Sequence, residues 1–166
     1  MAPSVDIRPI PPAATAAIRH AVLWPALPPE AQLYDYDYAE GTVHLGAFVA
    51  ASSEPVAVAT LVRAPFARPA SLAEKERALD ACQLRKLAVQ TDLQGKGIGT
   101  AMLAHVVALL TPPAGHPPRL LHFDARAAQA PFYEKLGYRV LDPEGFTKAY
   151  GGAEPVEYIR MGTVLR

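Results

Sequence analysis

The run Gln94-Gly95-Lys96-Gly97-Ile98-Gly99-Thr100 constrains this chain more than any other stretch. Glycines at alternate positions strip the side chains from one short segment. An apolar, strand-like segment, Gln83 to Val89, precedes it, and a segment patterned as a helix, Ile98 to Leu110, follows. Bare backbone N–H groups approach an anion closely, and a helix starting at the same spot adds the positive end of its dipole. Strand, glycine turn and helix N-terminus together predict a phosphate cradle. Spacing excludes two common versions of it. A P-loop needs Gly, four residues, then Gly-Lys-Ser/Thr, and no stretch fits. A dinucleotide fingerprint needs G-x-G-x-x-G, but the sixth position is Thr100 counted from Gly95 and Met102 counted from Gly97. The pattern present is Gln-x-x-Gly-x-Gly, at Gln94, Gly97 and Gly99.

A second run, Ala130-Pro131-Phe132-Tyr133-Glu134-Lys135-Leu136-Gly137-Tyr138, follows at the distance that a helix plus a strand requires. In this order the two runs resemble the hallmarks of the GCN5-related N-acetyltransferase (GNAT) superfamily. The first is similar to its pyrophosphate-binding signature and the second to its A-x-x-F-Y-E-K-L-G-F motif. A weaker likeness extends to Arg19 through Pro25 and His44 through Phe48, so it covers nearly the whole chain.

Periodicity gives the expected elements. Strands are predicted at Val5–Arg8, Val43–Ala50, Pro55–Val62, Gln83–Val89, Leu120–Asp124, Tyr138–Leu141 and Val156–Thr163. Ala51 to Glu54 joins the second and third as a hairpin. Helices are predicted at Ala13–Trp24, Ile98–Leu110 and Ala127–Leu136, the last stopped by Gly137. Pro25 to Tyr38 reads as a loop or short helix. Ala64 to Leu79 reads as an excursion with a helical turn near Ala73 to Ala78. The order predicts a mixed α/β sheet packed on both faces, in one domain spanning residues 1–166. The resemblance implies a mostly antiparallel sheet of about six to seven strands flanked by helices, splayed between the strand before the glycine turn and the next.

Charge and cysteine usage narrow the class. Lys plus Arg and Asp plus Glu are balanced at 16 each, which argues against a nucleic-acid partner. No apolar run approaches the roughly 20 residues of a spanning helix, so no membrane partner is expected. Met1 to Asp6 lacks the basic and apolar regions of a signal peptide, and Cys82 is the only cysteine. A cytoplasmic location is the simplest expectation. Cys82 has nothing adjacent to activate it and is expected to be inert. No C-x-x-C, H-E-x-x-H or G-x-S-x-G stretch exists, so neither a metal site nor a serine hydrolase is expected.

The resemblance implies an acetyltransferase with acetyl-coenzyme A as cosubstrate and no metal. It places the pantetheine arm along the backbone of Leu87, Ala88 and Val89, and the pyrophosphate on the amides of Gln94, Gly95, Lys96, Gly97, Ile98, Gly99 and Thr100. Tyr133 matches the tyrosine that often serves as general acid. A phenol of ordinary pKa about 10 can return a proton to a thiolate whose thiol has a pKa of about 8.5, with packing beside the sulfur as the plainer alternative. Phe132, on the same helix, belongs with the cofactor contacts or with the core. Asp124-Ala125-Arg126 stands where many relatives carry Asn-Ala-Arg. An ionised Asp accepts but does not donate. Asp124 is therefore open to four readings: contacting cofactor, pairing with Arg126, recognising a cationic acceptor, or capping the following helix.

On the acceptor side the residues leave alternatives. His44, Glu40, Asp124 and His122 are candidates for the base, directly or through water, although a structural role is the first reading of each histidine. Tyr34, Tyr36 and Tyr38 alternate with Asp35 and Asp37. If extended, that run sets three aromatics on one side and two carboxylates on the other, an acidic wall suited to a cationic amine. If not, it is a loop anchored by tyrosines. The acceptor is expected to be a small-molecule amine rather than a protein lysine or N-terminus. A coenzyme A-binding sensor without transfer activity is the alternative from another class, and a homodimer is the expected assembly if there is one.

Overall fold

The computed structural model describes residues 4–50, 52–149 and 152–166. It contains a seven-stranded sheet of order β1-β2-β3-β4-β5-β7-β6. The strands are β1 (Val5–Pro9), β2 (Val43–Val49), β3 (Ala57–Arg63), β4 (Asp80–Val89), β5 (Arg119–Arg126), β6 (Arg139–Lys148) and β7 (Val156–Leu165). The helices are α1 (residues 12–23), α2 (Ile98–Leu110) and α3 (Ala130–Lys135). β1–β2, β2–β3, β5–β7 and β6–β7 pair antiparallel, and β4–β5 pairs parallel. A parallel pair needs a long crossover, which α2 supplies between β4 and β5. Fold class and element order are as expected. Residue 51 of the hairpin connection and Met1 to Pro3 of the N-terminal reading lie outside the described residues. No helix among those described is long and apolar enough to cross a membrane.

The chain forms two compact units. The first comprises the residues up to Val62 together with Leu84–Val106, and the second Arg63–Gln83 together with Val107–Arg166. In the first, β2 and β3 are apolar and buried along almost their whole length, as strands covered on both faces must be. Ile18, Val58 and Ala88 form a core cluster with Ile10, Val22 and Leu23 packed on it. α1 is wound unevenly: a 3₁₀ turn at Pro12–Thr15, one α turn, then a wide π turn at Arg19–Leu23. The wide turn is closed by Trp24 N–H donating to the Arg19 carbonyl at 3.2 Å.

In the second unit the β4–β5 ladder runs from Asp80↔Arg119 to Gln83↔His122. Phe66, Leu72, Leu120 and Leu141 form the core, with Leu79, Ala81 and Val164 against it. The 64–79 excursion therefore contributes two of that core's buried residues, worth about 3–6 kcal/mol of apolar burial. The expected turn near Ala73 to Ala78 is the 3₁₀ turn Glu74–Glu76, and a second 3₁₀ turn, Pro69–Ser71, precedes it. β6 runs to Lys148, well past the expected end at Leu141. The strand tolerates Pro143 because β6 lies at the sheet edge, where a missing N–H costs no ladder bond. Register shifts between Val140 and Asp142 and between Asp142 and Phe146 absorb the irregular stretch.

Candidate functional site

The glycine turn belongs wholly to the first unit. β4 ends at Val89, Gln90 N–H donates to the Val56 carbonyl at 2.9 Å, and a 3₁₀ turn follows at Thr91–Leu93. Gln94 Nε2 donates back to the Val89 carbonyl at 2.9 Å, which fixes the entry to the turn. Gly95 and Gly97 adopt φ of +72° and +83°. A side chain at either position would be strained, so the two glycines serve backbone conformation. Residues 94–97 and Thr100 are exposed, and Gly99 is partly exposed. Ile98 is buried and anchors the first turn of α2, where Ala101 N–H donates to the Gly97 carbonyl at 3.0 Å. The donor set, exposed amides at the N-terminus of a 13-residue helix with Lys96 beside them, fits a diphosphate.

One step back along the chain, Lys86 has φ +54°, the one non-glycine residue with positive φ among those described. This left-handed kink costs roughly 1–3 kcal/mol and breaks the alternation of the strand. Arg85 and Lys86 would normally point to opposite faces, yet both reach one aromatic pair. Tyr34 and Tyr36 stack with centroids 5.2 Å apart and planes 7° from parallel. Arg85 Cζ lies 4.5 Å from the Tyr36 centroid and Lys86 Nζ 4.6 Å from that of Tyr34, and Lys86 Nζ donates to Tyr34 Oη at 3.3 Å.

The tyrosine run is not extended, so the acidic wall it predicted is overturned. Asp35–Tyr38 winds into a 3₁₀ turn. Tyr38 is left 66% exposed, Asp35 faces solvent, and Asp37 turns inward. A buried network forces this. Arg19 donates to both Asp37 oxygens at 2.7 and 2.8 Å, to the Gln32 carbonyl at 2.8 Å and to Thr60 Oγ1 at 2.7 Å. Asp37 also accepts the Tyr34 N–H at 2.9 Å. Burial pushes the Asp37 carboxyl up, but the Arg19 bonds, the Tyr34 N–H and the guanidinium charge outweigh it and hold it below its ordinary value. His44 completes the network. Its Nε2 donates to the Asp37 carbonyl at 2.9 Å, and its Nδ1 lies in hydrogen-bond contact with Thr60 Oγ1 at 2.8 Å. That arrangement commits both ring nitrogens inside the unit, while Glu40 lies exposed.

In the second unit Tyr133 sits in an aromatic cluster on α3. Its ring lies 4.6 Å from Phe123, 5.1 Å from Phe132 and 6.1 Å from Tyr138. Burial, with a smaller contribution from Tyr138, pushes the Tyr133 phenol up to about 12. Gly137 (φ +88°) ends the helix as expected, with Tyr138 N–H donating to the Tyr133 carbonyl at 3.1 Å. Asp124 does not cap the following helical turn. The cap position is Arg126, with no side-chain cap bond, and Asp124 Oδ2 accepts from Lys148 Nζ at 2.8 Å. Lys148 and Arg160 stack on a second aromatic pair, Phe146 and Tyr158, and Arg160 also pairs with Asp142 at 3.2 Å. His122 is buried, its Nε2 held at 2.9 Å from the Ala64 carbonyl and its ring edge-on to Phe66. Burial pushes the Cys82 thiol up to about 11, which keeps it protonated near neutrality.

Sequence reasoning missed the Arg19–Asp37 pair, the Lys86 kink and the role of Lys148. The one available signal was Arg19 itself, a charge on the apolar side of α1 beside Ile18 and Val22.

Comparison with known proteins extends the picture. The family model for the acetyltransferase (GNAT) domain matches residues 44–140, which draws on both units. A search of curated proteins gave no significant match. Many solved structures share the fold. Escherichia coli ElaA superposes with a TM-score of 0.68 at 15% identity, covering 96% of this chain and 99% of the other. The Escherichia coli ribosomal-protein-S18-alanine N-acetyltransferase gives 0.67 at 16%, covering 98% and 94%. Arabidopsis thaliana NAA60 in complex with acetyl-CoA gives 0.67 at 16%, covering 97% and 98%.

Proposed function

This chain belongs to the GNAT acetyltransferases, and we propose that it transfers acetyl from acetyl-coenzyme A to the primary amine of a small molecule, by direct attack with both substrates bound. The observation that carries the proposal is the glycine turn: exposed amides, two left-handed glycines and a helix N-terminus in one place. The diphosphate would rest on residues 94–100, and the pantetheine arm would pair with the backbone of 87–89. A backbone N–H of that stretch would polarise the thioester carbonyl. Holding both partners in reacting geometry supplies about 7–11 kcal/mol of the barrier reduction.

Tyr133 would donate its hydroxyl proton to the departing sulfur. Burial pushes the phenol up to about 12, so it carries its proton near neutrality. Asp124, tied to Lys148, offers an ion pair where an amide would offer both donor and acceptor. The acetyl acceptor must arrive as the neutral amine, and exposed Glu40 can take its proton through water.

A thiol-release assay with acetyl-coenzyme A against polyamines, amino acids, amino sugars, arylamines and lysine peptides tests this. Turnover with a small amine is the expected result. Turnover confined to peptides would overturn the small-molecule acceptor. Acetyl-coenzyme A binding without turnover on any amine would favour a sensor.

A further inference from the structure

We infer that the stacked Tyr34–Tyr36 pair with Arg85 and Lys86 is an acceptor-recognition site for an amine that carries a carboxylate within a few bonds of its nitrogen. This rests on the acetyl-transfer reading above. If the diphosphate sits at 94–100 and the arm runs back along 89 to 87, the thioester end points toward lower residue numbers. A strand advances about 3.3 Å per residue. Lys86 and Arg85 are the next residues in that direction, so the acceptor nitrogen meets the acetyl group beside them.

The local geometry suits an anion. The kink at Lys86 brings two consecutive cationic side chains onto the same aromatic platform. Stacking uses the face of a guanidinium, whereas its five N–H donors lie in its edge, the geometry that binds a carboxylate in a bidentate fashion. Tyr36 Oη is buried and has no hydrogen-bond partner among the described residues. Of the two acids in the run, Asp37 is withdrawn into its pair with Arg19 and Asp35 faces solvent. The backbone that carries the platform is tied to that buried network through the Tyr34 N–H.

The test uses matched trios: free amino acids, their carboxamides and their decarboxylated amines, each assayed for thiol release with acetyl-coenzyme A. The carboxylate member should exceed its carboxamide in kcat/KM by about 10- to 100-fold. Lys86→Met and Arg85→Met should each cut that ratio by about 10-fold, and Lys86→Arg should keep it. A preference for the carboxamide or the decarboxylated amine, or a ratio unmoved in both variants, overturns the inference. If no amine releases thiol, amino acids are titrated calorimetrically into the protein with coenzyme A present. Binding lost in Lys86→Met and kept in Lys86→Arg upholds the recognition site while the transfer reading fails. Absence of binding in the wild-type chain overturns both.

Discussion

The glycine turn and the tyrosine platform lie in the same compact unit and are built from opposite materials. In the turn, side chains are removed so that backbone amides meet the solvent. On the platform, rings and cations do the work, and a buried ion pair holds the backbone beneath them. A site made of backbone depends on which residues are absent, and its spacing is rigid. A site made of side chains depends on partners far apart in sequence: Arg19 with Asp37, Tyr34 with Lys86 and Tyr36 with Arg85. On the proposed reading the first therefore holds the ligand common to the family, and the second is free to vary.

Substitutions can break that comparison. The largest effect is expected from a third kind of site, one hydroxyl. Tyr133→Phe should lower kcat by about 10²–10⁴-fold with acetyl-coenzyme A affinity unchanged. Because the phenol lies up near 12, wild-type turnover should show no alkaline fall from this group below about pH 10. An alkaline limb near pH 9 that disappears in Tyr133→Phe would contradict that placement.

Next comes the platform's support. Arg19→Met strands the Asp37 carboxylate in a site where both side chains are fully buried, and should cost about 3–5 kcal/mol in chemical denaturation. The double change Arg19→Met, Asp37→Leu should recover most of the loss. A single variant as stable as wild type would show that the pair bears no load. For the turn, Gly97→Asp sets a carboxylate against the diphosphate at a left-handed position. Acetyl-coenzyme A affinity should drop by about 100-fold, or about 2.7 kcal/mol, by calorimetry. Retained affinity would separate the turn from the cofactor.

The smallest effect is a pH dependence. The folded Asp37 carboxyl lies below its unfolded value, so its stabilisation is fully present above the unfolded pKa of about 3.9 and is lost as pH falls through the folded one. Acid titration of stability should therefore steepen below about pH 4, and Asp37→Asn should remove that portion of the slope.

These contrasts also decide what was legible beforehand. The turn at Gly95 and Gly97 and the stop at Gly137 were readable because glycine is the residue that backbone conformation demands there. Element order followed from periodicity in β2, β3 and α2. The fate of Tyr34 to Tyr38 was not readable from its alternation. Its winding is set by Arg19, 18 residues upstream of Asp37, and a tertiary ion pair overrides a local pattern. The length of β6 was hidden for a similar reason. Its continuation through Pro143 and Gly145 depends on the edge position of the strand, which is set by the tertiary fold. Lys148 as the partner of Asp124 required the β6–β7 register, which no local pattern encodes.

The buried pair also has a consequence for descent. Arg19 and Asp37 cannot be exchanged one at a time without passing through a chain that holds an unanswered charge in a dry interior. Lineages that keep the inward turn at Asp37 should therefore inherit both residues together. Lineages that lose one should lose the other and rewind the segment that carries Tyr34 and Tyr36, which on the proposed reading ties a change of acceptor to a paired exchange beneath the platform.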